Sequence, residues 1–208
     1  MLMVARLGLR PTATSSAESQ PISIPRSRDE GALLAARLTN SKQHLCIYTD
    51  GSSIPGKGVG GAALSRTPAG TIIMRQYLGP TGEHLSVEGE IMGLILAMKI
   101  VQMVPDLSRV ITVLCDCQEA ILEVTNLSPK HAFLVERFRE AVRVASNLKQ
   151  IHLVWVPGHD RLELNESVDK EAKRAAGGDC RTSIISNGFT ISLASPWNLN
   201  DNIRGRSV

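Results

Sequence analysis

Between Leu45 and Leu78 the chain reads as three strand-length segments with no helix between them, and beyond that point helices and strands alternate. This order constrains the fold more than any other feature. Leu45–Asp50, Val59–Arg66 and Thr71–Leu78 are parted only by turn residues: Pro55, Gly56 and Gly58, then Pro68, Ala69 and Gly70. Strands joined by tight turns form an antiparallel meander. Strands joined through helices run parallel. The later segments are a helix over Val87–Val104, a strand over Val110–Cys115, a helix over Gln118–Asn126, a helix after Ser128-Pro129, a strand over Ile151–Val156 and a helix over Glu166–Ala176. The fold class is therefore α/β, a five-stranded mixed sheet of three antiparallel strands and then two parallel ones, flanked by helices.

Local signals mark the helix limits. Ser86 precedes the first long helix as a candidate N-cap and Pro105 follows it. This helix is apolar around much of its circumference, which predicts deep burial. The segment after Ser128-Pro129 carries Leu134, Val135, Phe138, Ala141, Val142 and Ala145 as one stripe at helical spacing. Asn165 is placed as the cap of the last helix and Gly177-Gly178 as its stop.

Residues 42–178 form one domain by this reading. Residues 1–41 read as a disordered tail or linker, because Pro11–Arg28 is rich in Ser, Pro and Thr without apolar period, although Asp29–Leu38 has the makings of a short helix. The opening MLMVARLGLR, basic and without acids, weakly resembles a mitochondrial transit peptide; a linker from a longer polyprotein fits the same residues and is preferred. Residues 179–208 show no strong period and read as a C-terminal tail.

Composition excludes some classes. Hydrophobic residues make up 43% of the 208 positions and aromatics only 3%, so the core is aliphatic. With 23 basic and 20 acidic side chains the formal charge is +3, so any phosphate-binding surface must be local. The most apolar run, Ile91–Val104, is interrupted by Lys99 and Gln102 and falls short of the about 20 apolar residues of a membrane span. Four cysteines without a secretory signal argue against a disulfide framework, and Cys115-Asp116-Cys117 is too tightly spaced for the usual zinc pairs. An intracellular protein is expected, in cytoplasm or nucleus rather than mitochondrion.

Four acids carry the chemistry. Asp50 ends the first strand, and Asp116 ends the fourth, which is expected to lie beside the first. Glu90 falls in the first turn of the buried helix, with Glu88 as its competitor, and Asp169 falls one turn after Asn165. Singly, each has an ordinary reading as turn residue, helix-dipole partner, cap or solvated helix face. Together they place several carboxylates at the carboxyl edge of an open sheet, the usual place for a site. Such charges repel one another and divalent cations relieve the repulsion. Oxygen ligands favour Mg²⁺ or Mn²⁺, and two such ions about 3.5–4 Å apart suit in-line displacement at phosphorus.

The order and context of these acids resemble the ribonuclease H family. Tyr48-Thr49-Asp50-Gly51-Ser52 resembles its opening motif, Glu88-Gly89-Glu90 its acidic helix start, and Asp116-Cys117-Gln118-Glu119-Ala120 its Asp-Ser-Gln-Ala element. Trp155-Val156-Pro157-Gly158-His159 followed by Asn165-Glu166-Ser167-Val168-Asp169 resembles its closing motif. The variant is most similar to domains carried by retrotransposons, fungal ones especially, where a reverse transcriptase domain of a parent polyprotein precedes it.

The resemblance implies an endonuclease that hydrolyses the RNA strand of RNA–DNA hybrids and leaves 5′-phosphate ends. It implies two Mg²⁺ ions, replaceable by Mn²⁺, held by Asp50, Glu90, Asp116 and Asp169, and a proton-handling or product-release role for His159. Gly51, Ser52, Ser53 and Asn165 are implied on the substrate side, with Asn126 and Lys130 as further DNA-strand candidates, in a monomer. The sequence departs from the family pattern at Cys117, where many members have Ser, and at Gly61, where many have an aromatic. The loop 160–164 lacks the usual glycines and carries Asp160 and Glu163, and no basic insertion separates the helices around Ser128, which together imply weak hybrid affinity. The alternative is a catalytically weak nucleic-acid-binding module decayed from a retroelement domain.

Overall fold

The structure, a computed structural model, describes residues 22–104, 110–146, 150–158, 163–186 and 189–194. Its sheet has eight strands, ordered β1-β6-β5-β2-β3-β4-β7-β8. The meander is β2 (His44–Ile54), β3 (Gly58–Thr67) and β4 (Gly70–Gly79), each pair antiparallel. β5 (Val110–Cys115) lies parallel to β2, and β6 (Ile151–Trp155) parallel to β5. These five strands are the mixed sheet expected from sequence.

Three further strands correct the expected count. β1 (Ile22–Ser23) pairs parallel to β6 at one edge. β7 (Arg181–Ser186) and β8 (Phe189–Ala194) form a hairpin on the edge of β4. Stretches read as featureless tails therefore contribute sheet edges. β7 buries Thr182 and Ser183 rather than an alternating apolar set, so period-2 hydrophobicity could not reveal it. It is fixed by the Arg75 guanidinium, 2% exposed, which donates to the Ser183 hydroxyl at 2.6 Å and pairs with Glu171 and Asp179. Residues 1–21, where the transit-peptide and linker readings fall, lie outside the described residues.

The helices cover both faces. α2 (Ser86–Met103) and α4 (Ala132–Ser146) close one apolar core over β2, β4, β5 and β6, with α3 (Gln118–Thr125) at its side. α1 (Arg28–Thr39) and α5 (Glu163–Ala176) close a second, smaller core built on Tyr48, Leu64, Leu114 and Val154. α1 is the helix anticipated inside the presumed tail. It buries only Gly31 and Ala35 completely, yet its Thr39 hydroxyl meets the Tyr48 hydroxyl at 2.5 Å.

Several boundaries differ from expectation. α2 is capped by its own third residue: the Glu88 carboxylate accepts from the Leu85 backbone N–H at 2.8 Å, and Ser86 lies inside the helix. α4 begins at Ala132 rather than at Ser128-Pro129. Its entry is organised by Glu123, which accepts from both the backbone N–H and the ring nitrogen of His131. α5 begins at Glu163, so Asn165 sits in its first turn and is not the cap.

Where α2 crosses the meander, glycines replace side chains. A carbon built on Gly61 would fall 2.7 Å from the Gly93 nitrogen, and one built on Gly51 would fall 2.5 Å from the Gly89 carbonyl carbon. Backbone thus packs on backbone, which accounts for Gly61 and brings the start of α2 down onto β2.

Candidate active site

β2 does not stop at Asp50. Its antiparallel pairing with β3 continues through Asp50↔Ala62 to Ile54↔Gly58, whereas its parallel pairing with β5 ends at Thr49↔Cys115. Asp50 and Asp116 are therefore the next residues on two neighbouring strands where those strands part. Glu90 comes from the second turn of α2, above Gly51.

Ligand oxygens of Asp50, Glu90 and Asp116 all lie within 4.8 Å of one another. Asp50 is 9% and Glu90 8% exposed. Burial, and then the negative charges of Asp116 and Asp169, push the Asp50 carboxyl up to about 8; the Gly51 N–H and Lys173 oppose the shift. Burial holds Glu90 well above the carboxylate range, and Asp50 and Asp116 add to it. Glu90 Oε2 is buried without a hydrogen-bond partner. Glu88, the competitor, is engaged at the helix start and with His84 Nδ1 at 3.2 Å. Its neighbour two residues on is the one that enters the cluster.

Asp116 is held from two sides. The Trp155 indole N–H donates to its backbone carbonyl at 3.0 Å, and the Asn165 amide approaches its Oδ2 at 3.4 Å. Asn165 is buried, and its own Oδ1 has no partner. Asp169 lies on α5 close enough to raise the Asp50 carboxyl, though it is outside the tight group of three. It is more exposed and forms an ion pair with Lys173 Nζ at 2.7 Å. Lys173 was not singled out in the sequence, although its spacing of four from Asp169 on a helix is a recognisable pairing signal.

The fit to hard cations rests on this chemistry: three clustered carboxylates, one with an orphaned buried oxygen, in a site where protonation or a cation must offset the repulsion. Cys117, beside Asp116, acts as the cap of α3, with its sulfur accepting from the Ala120 N–H at 3.4 Å. Burial first of all lifts its thiol to about 11.

The remaining candidates are placed as follows. Ser52 is half-buried and Ser53 exposed, on the stretch of β2 beyond the acids that pairs with Gly60 and Val59. Asn126 and Lys130 are exposed between α3 and α4, with the Asn126 side chain accepting from the Ser128 N–H. Glu163, expected to repel phosphate, is paired with Arg66 at 2.5 Å. His159 and Asp160 lie outside the described residues.

A family profile described as RNase H matches residues 42–177. Among solved structures, the N-terminal RNase H domain of rv2228c from Mycobacterium tuberculosis is 22% identical. The alignment covers 64% of this chain and 98% of that one, with a TM-score of 0.50. LC11-RNase H1, isolated from compost by a metagenomic approach, is 23% identical over 64% of this chain and 96% of its own, also with a TM-score of 0.50. No curated protein sequence matches the chain. No helix among the described residues is long and apolar enough to cross a membrane.

Proposed function

The chain belongs to the RNase H family, and on that premise we propose that it is an endonuclease hydrolysing the RNA strand of RNA–DNA hybrids with divalent cations held by Asp50, Glu90, Asp116 and Asp169. One observation carries the reading: ligand oxygens of Asp50, Glu90 and Asp116 converge within 4.8 Å at the carboxyl edge of the central strands. Lys173 opposes the upward shift of Asp50 but does not cancel it.

Two ions, Mg²⁺ with Mn²⁺ as substitute, would supply activation of a water and neutralisation of charge at the scissile phosphate. The chain's own residues do the rest. Asp50, Glu90 and Asp116 would hold such ions, with Asp169, now paired with Lys173, as a further ligand. Asn165 and Trp155 hold Asp116 in orientation. His159, next after Gly158, handles protons or product release. Gly51, Ser52 and Ser53 present amides and hydroxyls to the RNA strand, and hybrid is read by shape, phosphate and 2′-hydroxyls rather than sequence. The nuclease unit is residues 42–178, acting as a monomer. The ordered motifs support descent from a retroelement.

The test is a cleavage assay on matched RNA–DNA hybrid, RNA duplex and DNA duplex in Mg²⁺ or Mn²⁺. Hybrid-only cutting of the RNA strand, stopped by chelator, is expected. Binding of hybrid without cutting in either metal would replace this reading with a decayed binding module.

A further inference from the structure

Resting on that nuclease reading, we infer that Arg28, on a helix that precedes the matched family region, is a positioning residue for hybrid cleavage. It acts by holding Gly158 against Asp116. The Arg28 guanidinium donates to the Gly158 carbonyl at 2.7 Å across 130 residues of sequence.

The segment that Arg28 grips is the wall of the acidic site. The Trp155 indole donates to the Asp116 carbonyl, and the Val156 N–H donates to the Cys115 carbonyl at 3.0 Å. Gly158 then passes so close to the acid that a carbon built on it would lie 2.9 Å from Asp116 Oδ2. Trp155 and Val156 are thus tied to β5 and its Asp116. Gly158 receives its tie from α1. Residue 159, which follows directly, is the histidine of the closing motif.

Arg28 is itself well placed to act as a fixed post. The Ser27 hydroxyl caps α1 by accepting from the Glu30 N–H at 3.1 Å, and the Glu30 carboxylate accepts from the Arg26 N–H at 2.9 Å. Just before, β1 joins β6 in register, Ile22↔Leu153 and Ser23↔Val154. The first turn of α1 also leans on the segment: a carbon built on Gly31 would meet Pro157 Cδ at 2.9 Å and the Trp155 ring at 3.3 Å. Strand and cap fix the start of α1, and the close approach and the guanidinium bear on Trp155–Gly158. The Arg28 bond is exposed to solvent, so its consequence is geometric rather than a large share of stability. Misplacement of a reacting group by a fraction of an ångström reduces the rate without changing affinity.

The experiment uses the full chain with Arg28→Ala and Arg28→Lys, measuring kcat and KM on hybrid in Mg²⁺. It also follows the amide resonances of Asp116 and Gly158 and the Trp155 indole N–H in the free protein. Arg28→Ala is expected to lower kcat about tenfold with KM and Tm nearly unchanged, and to shift those three resonances. Arg28→Lys, a single-point donor, should restore part of the rate. An Arg28→Ala enzyme as fast as wild type would overturn the inference, as would a rise in KM alone, which would mark a phosphate contact. If the wild type does not cut hybrid, the nuclease reading fails, and unshifted resonances in Arg28→Ala would separately overturn the brace.

Discussion

Gly51 lies directly beneath the residue that begins the second turn of α2: a side-chain carbon placed on it would fall 2.9 Å from Glu90 Cα and closer still to the Glu90 nitrogen. The strand carrying Asp50 and the helix carrying Glu90 are therefore in backbone contact at Glu90 itself and one residue after Asp50. Gly51→Ala should push the helix start off the sheet. It is expected to destabilise the fold by about 1–3 kcal/mol or more, as over-packing does, and to abolish metal-dependent cleavage. Denaturant unfolding alongside the hybrid assay checks both.

The acids are placed for function at a cost to the metal-free fold. Asp50 and Glu90 are buried, mutually repelling carboxyls. Asp50→Asn or Glu90→Gln removes a charge that burial penalises while keeping the shape. Each variant should unfold at a higher temperature than wild type in chelator, and each should lose cleavage by about a hundredfold or more. Scanning calorimetry with and without Mg²⁺ reads the first effect, and the second is read on hybrid.

The pH dependence of stability follows from the same shift. Asp50 titrates at about 8 in the folded chain against an ordinary 3.8. The folded state therefore binds the proton more tightly than the unfolded one. The contribution is favourable at low pH, where the acid is neutral in both states, and is lost as pH rises through about 8. Glu90 shifts in the same direction. Metal-free protein should lose Tm between about pH 4 and about pH 8, and Mg²⁺, which displaces those protons, should stabilise it most at the alkaline end. Thermal melts across that range in chelator and in Mg²⁺ give the comparison.

Arg75 links the meander, α5 and the C-terminal hairpin through Glu171, Asp179 and Ser183. Replacing one partner of a buried charged group leaves the others uncompensated. Arg75→Leu should cost about 3–5 kcal/mol and open the β4–β7 edge to amide exchange. Asp50 stands two strands away in the same register, Asp50↔Ala62↔Arg75, and is held by its own packing against α2, so residual folded enzyme should still cut hybrid.

The meander, the parallel pair and the helix order were legible because apolar period and turn residues agree along 42–178. Adjacency of Asp50 and Asp116 followed from strand order alone. The sequence favours Glu90 over Glu88 because the apolar helix continues directly from it; packing on Gly51 and the engagement of Glu88 at the helix start supply the geometric reason. α1 was visible as a helix but not as part of the fold, because the residues it buries completely are Gly31 and Ala35. The hairpin of β7 and β8 was hidden because polar residues are what β7 buries. The entry to α4 was misread because Ser128-Pro129 resembles a cap while Glu123, several residues earlier, supplies the anchoring oxygen.

The most direct measurement is anomalous scattering from crystals soaked in Mn²⁺, wild type beside Asp50→Asn. Wild-type crystals should show a peak coordinated by Asp50, Glu90 and Asp116, and the variant should lose it. A wild-type site without manganese, or a peak that survives Asp50→Asn unchanged, would contradict the account.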